Sequence, residues 1–179
     1  MMLRVSRGYS TVEGRRGTVL LFDGPPPMVA DCKDADHECR TVGKWILDRL
    51  HEGCAPNEVG VFVRSAAELK RARAAVKVAG VRAVELSDRV EIEDGAVAIS
   101  TMHFAKGLEF RSVVVMACDD DVIPQSDRIE AVADDADLEE VYNTERHLLY
   151  VACTRARDNL PVSGIAPVSE FVDDFLKGK

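Results

Sequence analysis

No stretch of this 179-residue chain reads GxxxxGK[ST], the glycine-rich loop that cradles nucleotide phosphates. The nearest Lys-Gly pair, Lys106-Gly107, runs in the wrong order. A complete nucleotide site of that type is therefore excluded from these residues. No apolar run approaches the ~20 residues of a membrane span. The N-terminal stretch MMLRVSRGYSTVEGRRG is basic but has no apolar segment, so it is not a secretory signal. Its Gly8, Gly14 and Gly17 argue against a helix, and residues 1–16 are expected to be poorly ordered. An excess of positive charge is missing too. The net charge of −8 argues against a free-standing nucleic-acid binder, yet leaves room for a domain that forms one wall of a groove. There are no internal repeats and no Ser-His-Asp or Cys-His order.

The five cysteines, Cys32, Cys39, Cys54, Cys118 and Cys153, are odd in number, which suggests reduced thiols and a cytoplasmic protein. A zinc site from Cys32, His37, Cys39, His51 and Cys54 would need knuckle spacing. No pair has it, and 37–54 reads as one helix, so no metal site is expected. Cys118 and Cys153 sit in apolar runs and should pack as small hydrophobes.

What is present is an ordinary globular mixture, 46% hydrophobic and 30% charged, enough for one domain over 17–179. Residues 17–22 (GTVLLF) read as a buried strand, ended by the prolines of DGPPPM. A helix is expected over 34–53, where Val42, Trp45, Ile46, the Arg49 stem and Leu50 follow the 3.6 period and Gly53 suits a cap. A strand at 58–65 precedes a helix at 66–80. Further strands are expected at 81–86, 94–102 and 111–118. The longest helix should run over 135–157, followed by a strand at 159–164 that Pro161 assigns to an edge, and an amphipathic helix at 168–177. Alternating helices and continuous apolar strands predict an α/β fold, a mostly parallel sheet with helices on both faces.

Residues 119–140 hold ten acids against Arg128 alone. They read as a solvated loop (119–137) plus acids at a helix N-terminus, with a partner-binding or DNA-repelling flap as the alternative. Asp119 and Asp120 end an apolar strand as metal-holding acids do. Without a phosphate loop upstream they read as loop acids.

Two segments remain unaccounted for. TMHFAKGLEF (101–110) crowds His103, Lys106 and Glu109 around Gly107 at a strand end, where an α/β sheet places its working groups. TERHLLYVACTRAR (144–157) carries Glu145, Arg146, Arg155 and Arg157. Ten residues make nearly three helical turns, so Glu145 cannot pair with Arg155 along one helix but could pair with a neighbour. Arg155, beyond an apolar stretch, is either a cation favoured at a helix C-terminus or a guanidinium held to clamp a phosphoryl oxygen. The residues alone leave both open.

The two segments resemble motifs of the UvrD/Rep-type superfamily 1 DNA helicases: T-x-H-x-x-K-G-L-E-F ahead of an apolar strand, and E-R-R-L-x-Y-V-x-x-T-R-A. VGVFVRSAAE resembles the strand-then-Arg segment before them and singles out Arg64. The resemblance covers about residues 17–164. It implies the second RecA-like domain (P-loop NTPase type) of such a helicase. ATP and Mg²⁺ would be bound mainly by an N-terminal phosphate-loop domain, in cis or in trans, and single-stranded DNA would be a partner. It implies that Arg155 is the arginine finger, that Glu109 and Gly107 face the nucleotide, and that Thr101, His103 and Lys106 touch or sense DNA. Glu145, Arg146 and Arg64 would support them.

His147 departs from the motif, which often has a second Arg, and a weaker ion-pair network is the expected cost. The family's Asn-Tyr-Arg-Ser segment, with another γ-phosphate arginine, has no counterpart in RVSRGYSTVEG. No room exists between Gly80 and Ala96 for an inserted helical subdomain. The chain is thus expected to be a half-motor, inactive alone. The alternative is a non-catalytic remnant that serves as a protein-interaction module.

Overall fold

The computed structural model describes residues 27–88, 91–132 and 135–172. The expected N-terminal segment (1–16) and the strand at 17–22 lie outside the described residues, as does most of the helix expected at 168–177, of which residues 170–172 are helical.

The elements run β1 (Met28–Cys32), α1 (Ala35–His51), β2 (Val59–Val63), α2 (Leu69–Val78), β3 (Arg82–Glu85), β4 (Ala96–Thr101), β5 (Phe110–Val115), α3 (Ser126–Glu130), α4 (Asp135–Cys153), β6 (Ala156–Asn159) and β7 (Pro161–Ile165). The seven strands form one sheet in the order β1-β7-β5-β2-β4-β3, with β6 beside β5, and every pairing within it is parallel. Among the described residues no helix is long and apolar enough to cross a membrane.

Strand alternation splits the apolar residues between two layers. Val59, Val61 and Val63 of β2 pack with Val42 and Ile46 of α1 and Ala72, Ala75 and Val76 of α2. Phe62, from the same strand, joins Phe110, Val113, Leu149 and Ala152 on the α4 side. Phe62 and Phe110 meet edge to face, 6.0 Å between centroids. A Cβ at Gly60 would lie 2.7 Å from the Phe110 ring, so β2 needs a glycine there. Helices thus cover both faces, as the alternating pattern implies.

Three expectations need correction. The long helix stops at Cys153, and residues 156–159 leave it for β6, so Arg155 and Arg157 stand beyond the helix. Ala156 pairs with Phe110 of β5, and that ladder wins over the helical periodicity. The strand carrying Pro161 is interior, between β1 and β5. Proline is tolerated because it is the strand's first residue. The outer position belongs to β1, a five-residue strand that sequence patterning missed.

Asp119 does lie in the loop after β5, but it is buried and not solvated. Arg71 of α2 reaches it with Nη1 at 2.6 Å and Nη2 at 3.1 Å, and reaches Glu38 of α1 with Nε at 2.9 Å. Glu38 also accepts from the Ala117 amide at 2.9 Å and the Ser163 hydroxyl at 2.8 Å, and Asp119 from the Ile165 amide at 2.6 Å. Burial opposes the charge on Arg71, but the bonds and charges of Asp119 and Glu38 prevail and hold its pKa well above the ordinary value. This cluster ties both helices of one face to the ends of β5 and β7. Exchanging Arg71 for Ala strands two buried carboxylates and should lower the unfolding free energy in urea by about 3–5 kcal/mol. A loss below about 1 kcal/mol, the level of an exposed pair, would contradict a structural role for the cluster.

Candidate functional site

Parallel register explains which residues meet. Val63 of β2 pairs with Thr101 of β4, so the next residues, Arg64 and the short 3₁₀ turn Met102–Phe104, emerge side by side at the carboxyl end of the sheet. Arg64 is buried and grips Glu145 of α4 with two bonds, Nε to Oε2 at 2.6 Å and Nη2 to Oε1 at 2.5 Å. Arg128, from the acidic stretch, adds a bond from Nη1 to Oε1 of Glu145 at 2.9 Å. Glu145 has no solvent exposure. Burial pushes its pKa up, but the hydrogen bonds and charge of Arg64, with Arg128 and a backbone bond at Gln125, outweigh it and leave the carboxyl below its ordinary value.

His103 sits beside this cluster, exposed to solvent. Partial desolvation lowers its pKa, the charge of Arg64 adds to the effect with Arg128, and Glu145 opposes it. Thr101 is half-buried at the end of β4, and Lys106 is exposed. The segment then turns at Gly107, where φ is +83°, a conformation other residues adopt only with strain. No atom lies within 4 Å of a Cβ placed there, so the glycine answers a dihedral demand and not a close neighbour in the chain.

A second group gathers at the opposite end of the sheet. Phe110 pairs with Ala156, which brings the preceding residues, Glu109 and Arg155, alongside each other at the amino end of β5. The Phe110 amide donates to the Arg155 carbonyl at 2.9 Å. The half-buried Arg155 guanidinium donates from Nε to the Val151 carbonyl at 3.0 Å, from Nη1 to the Leu108 carbonyl at 3.2 Å, and from Nη2 to the Thr154 hydroxyl at 2.8 Å. All three acceptors are neutral. Glu109 is exposed, with its carboxylate 3.8 Å from Arg157.

The segments 101–110 and 144–157 therefore do come together, through Leu108 and Arg155, but their polar residues divide between two ends. Arg64, Thr101, His103 and Glu145 stand at one, Glu109 and Arg155 at the other. The six-residue strand β5 separates them, roughly 20 Å of chain. The Arg146 guanidinium lies 4.6 Å from the centre of the Phe171 ring. His147 is exposed. Arg128 is the residue that sequence reasoning missed. Its one signal in the sequence is its place as the sole base among ten acids. The thiols of Cys32, Cys39 and Cys54 donate to backbone carbonyls of Ala30, Arg71 and Ala55. Among the described residues no three His, Cys, Asp or Glu side chains gather as a metal site.

The model of the UvrD-like helicase C-terminal domain matches residues 62–166, more than half of the chain. The ATP-dependent DNA helicase PcrA of Staphylococcus aureus is 38% identical over 97 residues, which are 50% of this chain and 12% of that protein. PcrA of Bacillus subtilis is 38% identical over 80 residues, 43% of this chain and 10% of that protein. The chain thus matches only about a tenth of the length of these relatives. Among solved structures, the C-terminal domain of a possible DNA helicase from Lactobacillus plantarum superimposes with a TM-score of 0.61 at 21% identity, over 85% of this chain and 81% of that one. At that identity the likeness concerns the fold.

The buried pair gives a pH test. A carboxyl with a lowered pKa in the fold contributes stability that is fully present above its unfolded value of about 4.3 and is lost as the pH falls through the lower folded value. Glu145→Gln should therefore be clearly less stable than the unmodified chain at pH 7, and the gap should narrow below about pH 4. Urea midpoints measured between pH 7 and pH 3 decide it; a gap that does not change with pH would show that Glu145 is not ionised in the fold.

Proposed function

Since the chain belongs to the UvrD-like helicase C-terminal domain family, we propose that it is the second motor domain of an ATP-dependent superfamily 1 DNA helicase, supplying half of the ATP site and part of the path of single-stranded DNA. The observation that carries this reading is the division of its motif residues between two ends of one sheet, joined by the short segment 102–109 and by α4.

At the amino end of β5, Arg155 acts as the arginine finger. Its guanidinium is fixed in place by three neutral oxygens. Among the described residues no carboxylate forms a salt bridge with it. A phosphoryl oxygen carries negative charge and forms stronger, shorter bonds than those neutral acceptors, so the side chain can exchange onto it. Glu109, exposed just before β5, faces the same cleft and accepts hydrogen bonds from the nucleotide. Gly107 sets the turn that delivers Glu109. A second, phosphate-loop domain, in cis or in trans, holds the bulk of the ATP and its Mg²⁺, which supplies charge neutralisation for phosphoryl transfer.

At the carboxyl end, Thr101, His103 and Lys106 contact or sense the DNA strand. His103, with its lowered pKa, presents a neutral imidazole for hydrogen bonding at physiological pH. Arg64 and Glu145 position the turn and α4 relative to each other. Displacement at the DNA end is thus passed through five residues to Leu108, whose carbonyl holds Arg155.

The test is ATP hydrolysis by this chain mixed with a phosphate-loop domain of a UvrD-like helicase and an oligonucleotide. DNA-stimulated turnover is expected only when both halves are present. Arg155→Ala should reduce it by about 10³-fold or more while DNA binding persists. His103→Ala should depress the DNA-stimulated rate more than the basal rate. Undiminished turnover with Arg155→Ala sinks the finger assignment, and no turnover with any such partner favours a non-catalytic interaction module.

A further inference from the structure

The ladder between β5 and β6 is irregular beside Arg155. Phe110 pairs with Ala156 and Ser112 with Asn159, so the single residue Arg111 of β5 stands against two of β6, Arg157 and Asp158. Such a bulge is rare between parallel strands, and bulges re-aim side chains next to active sites. Asp158 is taken by Arg111, which donates from Nε to Oδ2 at 3.1 Å. Arg157 is left with one ion-pair partner among the described residues, Glu109, whose Oε1 lies 3.8 Å from its Nε. That is too long for a hydrogen bond. The two side chains are 49% and 69% exposed, so the pair adds little stability and exchanges readily.

We infer that Arg157 is a second cation directed at the nucleotide, which binds one of its phosphates beside the finger Arg155 and releases Glu109 as it does so. An exposed carboxylate facing a triphosphate repels it. Arg157 next to Glu109 offsets that charge before the nucleotide arrives. On entry, a phosphate takes the guanidinium in a two-bond geometry that the carboxylate does not satisfy at 3.8 Å, and Glu109 turns to donors on the nucleotide. The exchange costs little because the pair it replaces is weak. Arg155 is already held by three neutral oxygens and serves the transferred group. Arg157, two residues on and displaced from the ladder by the bulge, serves the bound nucleotide. The inference rests on the reading that ATP enters at the amino end of β5, and it adds a residue that no part of the motif resemblance assigns.

The test is steady-state ATP hydrolysis by the 179-residue chain mixed with the phosphate-loop domain and an oligonucleotide, with Arg157→Gln, Arg157→Lys and Glu109→Gln compared. Arg157→Gln should raise the KM for ATP by about 10- to 100-fold, as the loss of one charged hydrogen-bonding partner implies, with the loss falling on KM rather than on kcat. Arg155→Ala should show the reverse pattern. Arg157→Lys, which keeps the charge but not the planar fork, should recover part of the affinity. Arg157→Gln should raise KM again when added to Glu109→Gln, because the guanidinium acts on the phosphate itself. Arg157 is exposed, so amide spectra of its variants should match the unmodified chain away from the bulge. An unchanged KM in Arg157→Gln, or no further rise on the Glu109→Gln background, overturns the second cation while the finger stands. A mixture with no turnover overturns both.

Discussion

Glu145 has no contact with solvent, and a carboxylate so placed must be neutralised by its surroundings. Arg64 does this from the end of β2 with a planar two-bond grip, and Arg128 adds a third bond from the acidic stretch. Three distant parts of the chain are thereby fixed at one point: the sheet, the long helix and the segment that precedes the helix. Because α4 is rigid, fixing Glu145 also fixes the residues just beyond the helix. Arg155 lies ten residues on, about 15 Å at the helical rise, and its own carbonyl is locked to the start of β5. The ion pair at the carboxyl end and the β5–β6 ladder at the amino end thus hold the two ends of this stretch.

The other route between the ends is the segment 102–109. Its turns come in close succession: the Ala105 amide bonds to Met102, the Leu108 amide to Ala105, and the Leu108 carbonyl accepts from Arg155. With the positive φ at Gly107 between them, the segment has few ways to change shape without moving its far end. A helix and a tight turn segment thus join the two ends of the sheet in parallel. The second ion cluster, Arg71 with Glu38 and Asp119, has a different consequence: it holds α1 and α2 against the sheet, so the opposite face stays a stable platform.

Much of this was legible in the sequence. Alternation of apolar strands with periodic helices points to the α/β architecture, and the ten residues between Glu145 and Arg155 rule out a pair along one helix. The boundaries failed where non-local pairing decides. Nothing local distinguishes Ala156 at the end of a helix from Ala156 in a ladder with Phe110. Asp119 looked like its exposed neighbours because its partner, Arg71, is 48 residues away. Arg128 looked like a stray base in an acidic run for the same reason, since its carboxylate lies 17 residues further on. Pro161 misled because its rule concerns strand interiors, and it occupies a strand's first position.

Hydrogen exchange on the chain assembled with a phosphate-loop domain tests the two-ended arrangement most directly, with a non-hydrolysable ATP analogue and a single-stranded oligonucleotide added separately. The analogue should slow exchange first at 107–110 and 153–157, and the oligonucleotide at 64–65 and 101–106. Protection of the same segments by both ligands, or of neither set, would contradict the division of labour between the ends of the sheet.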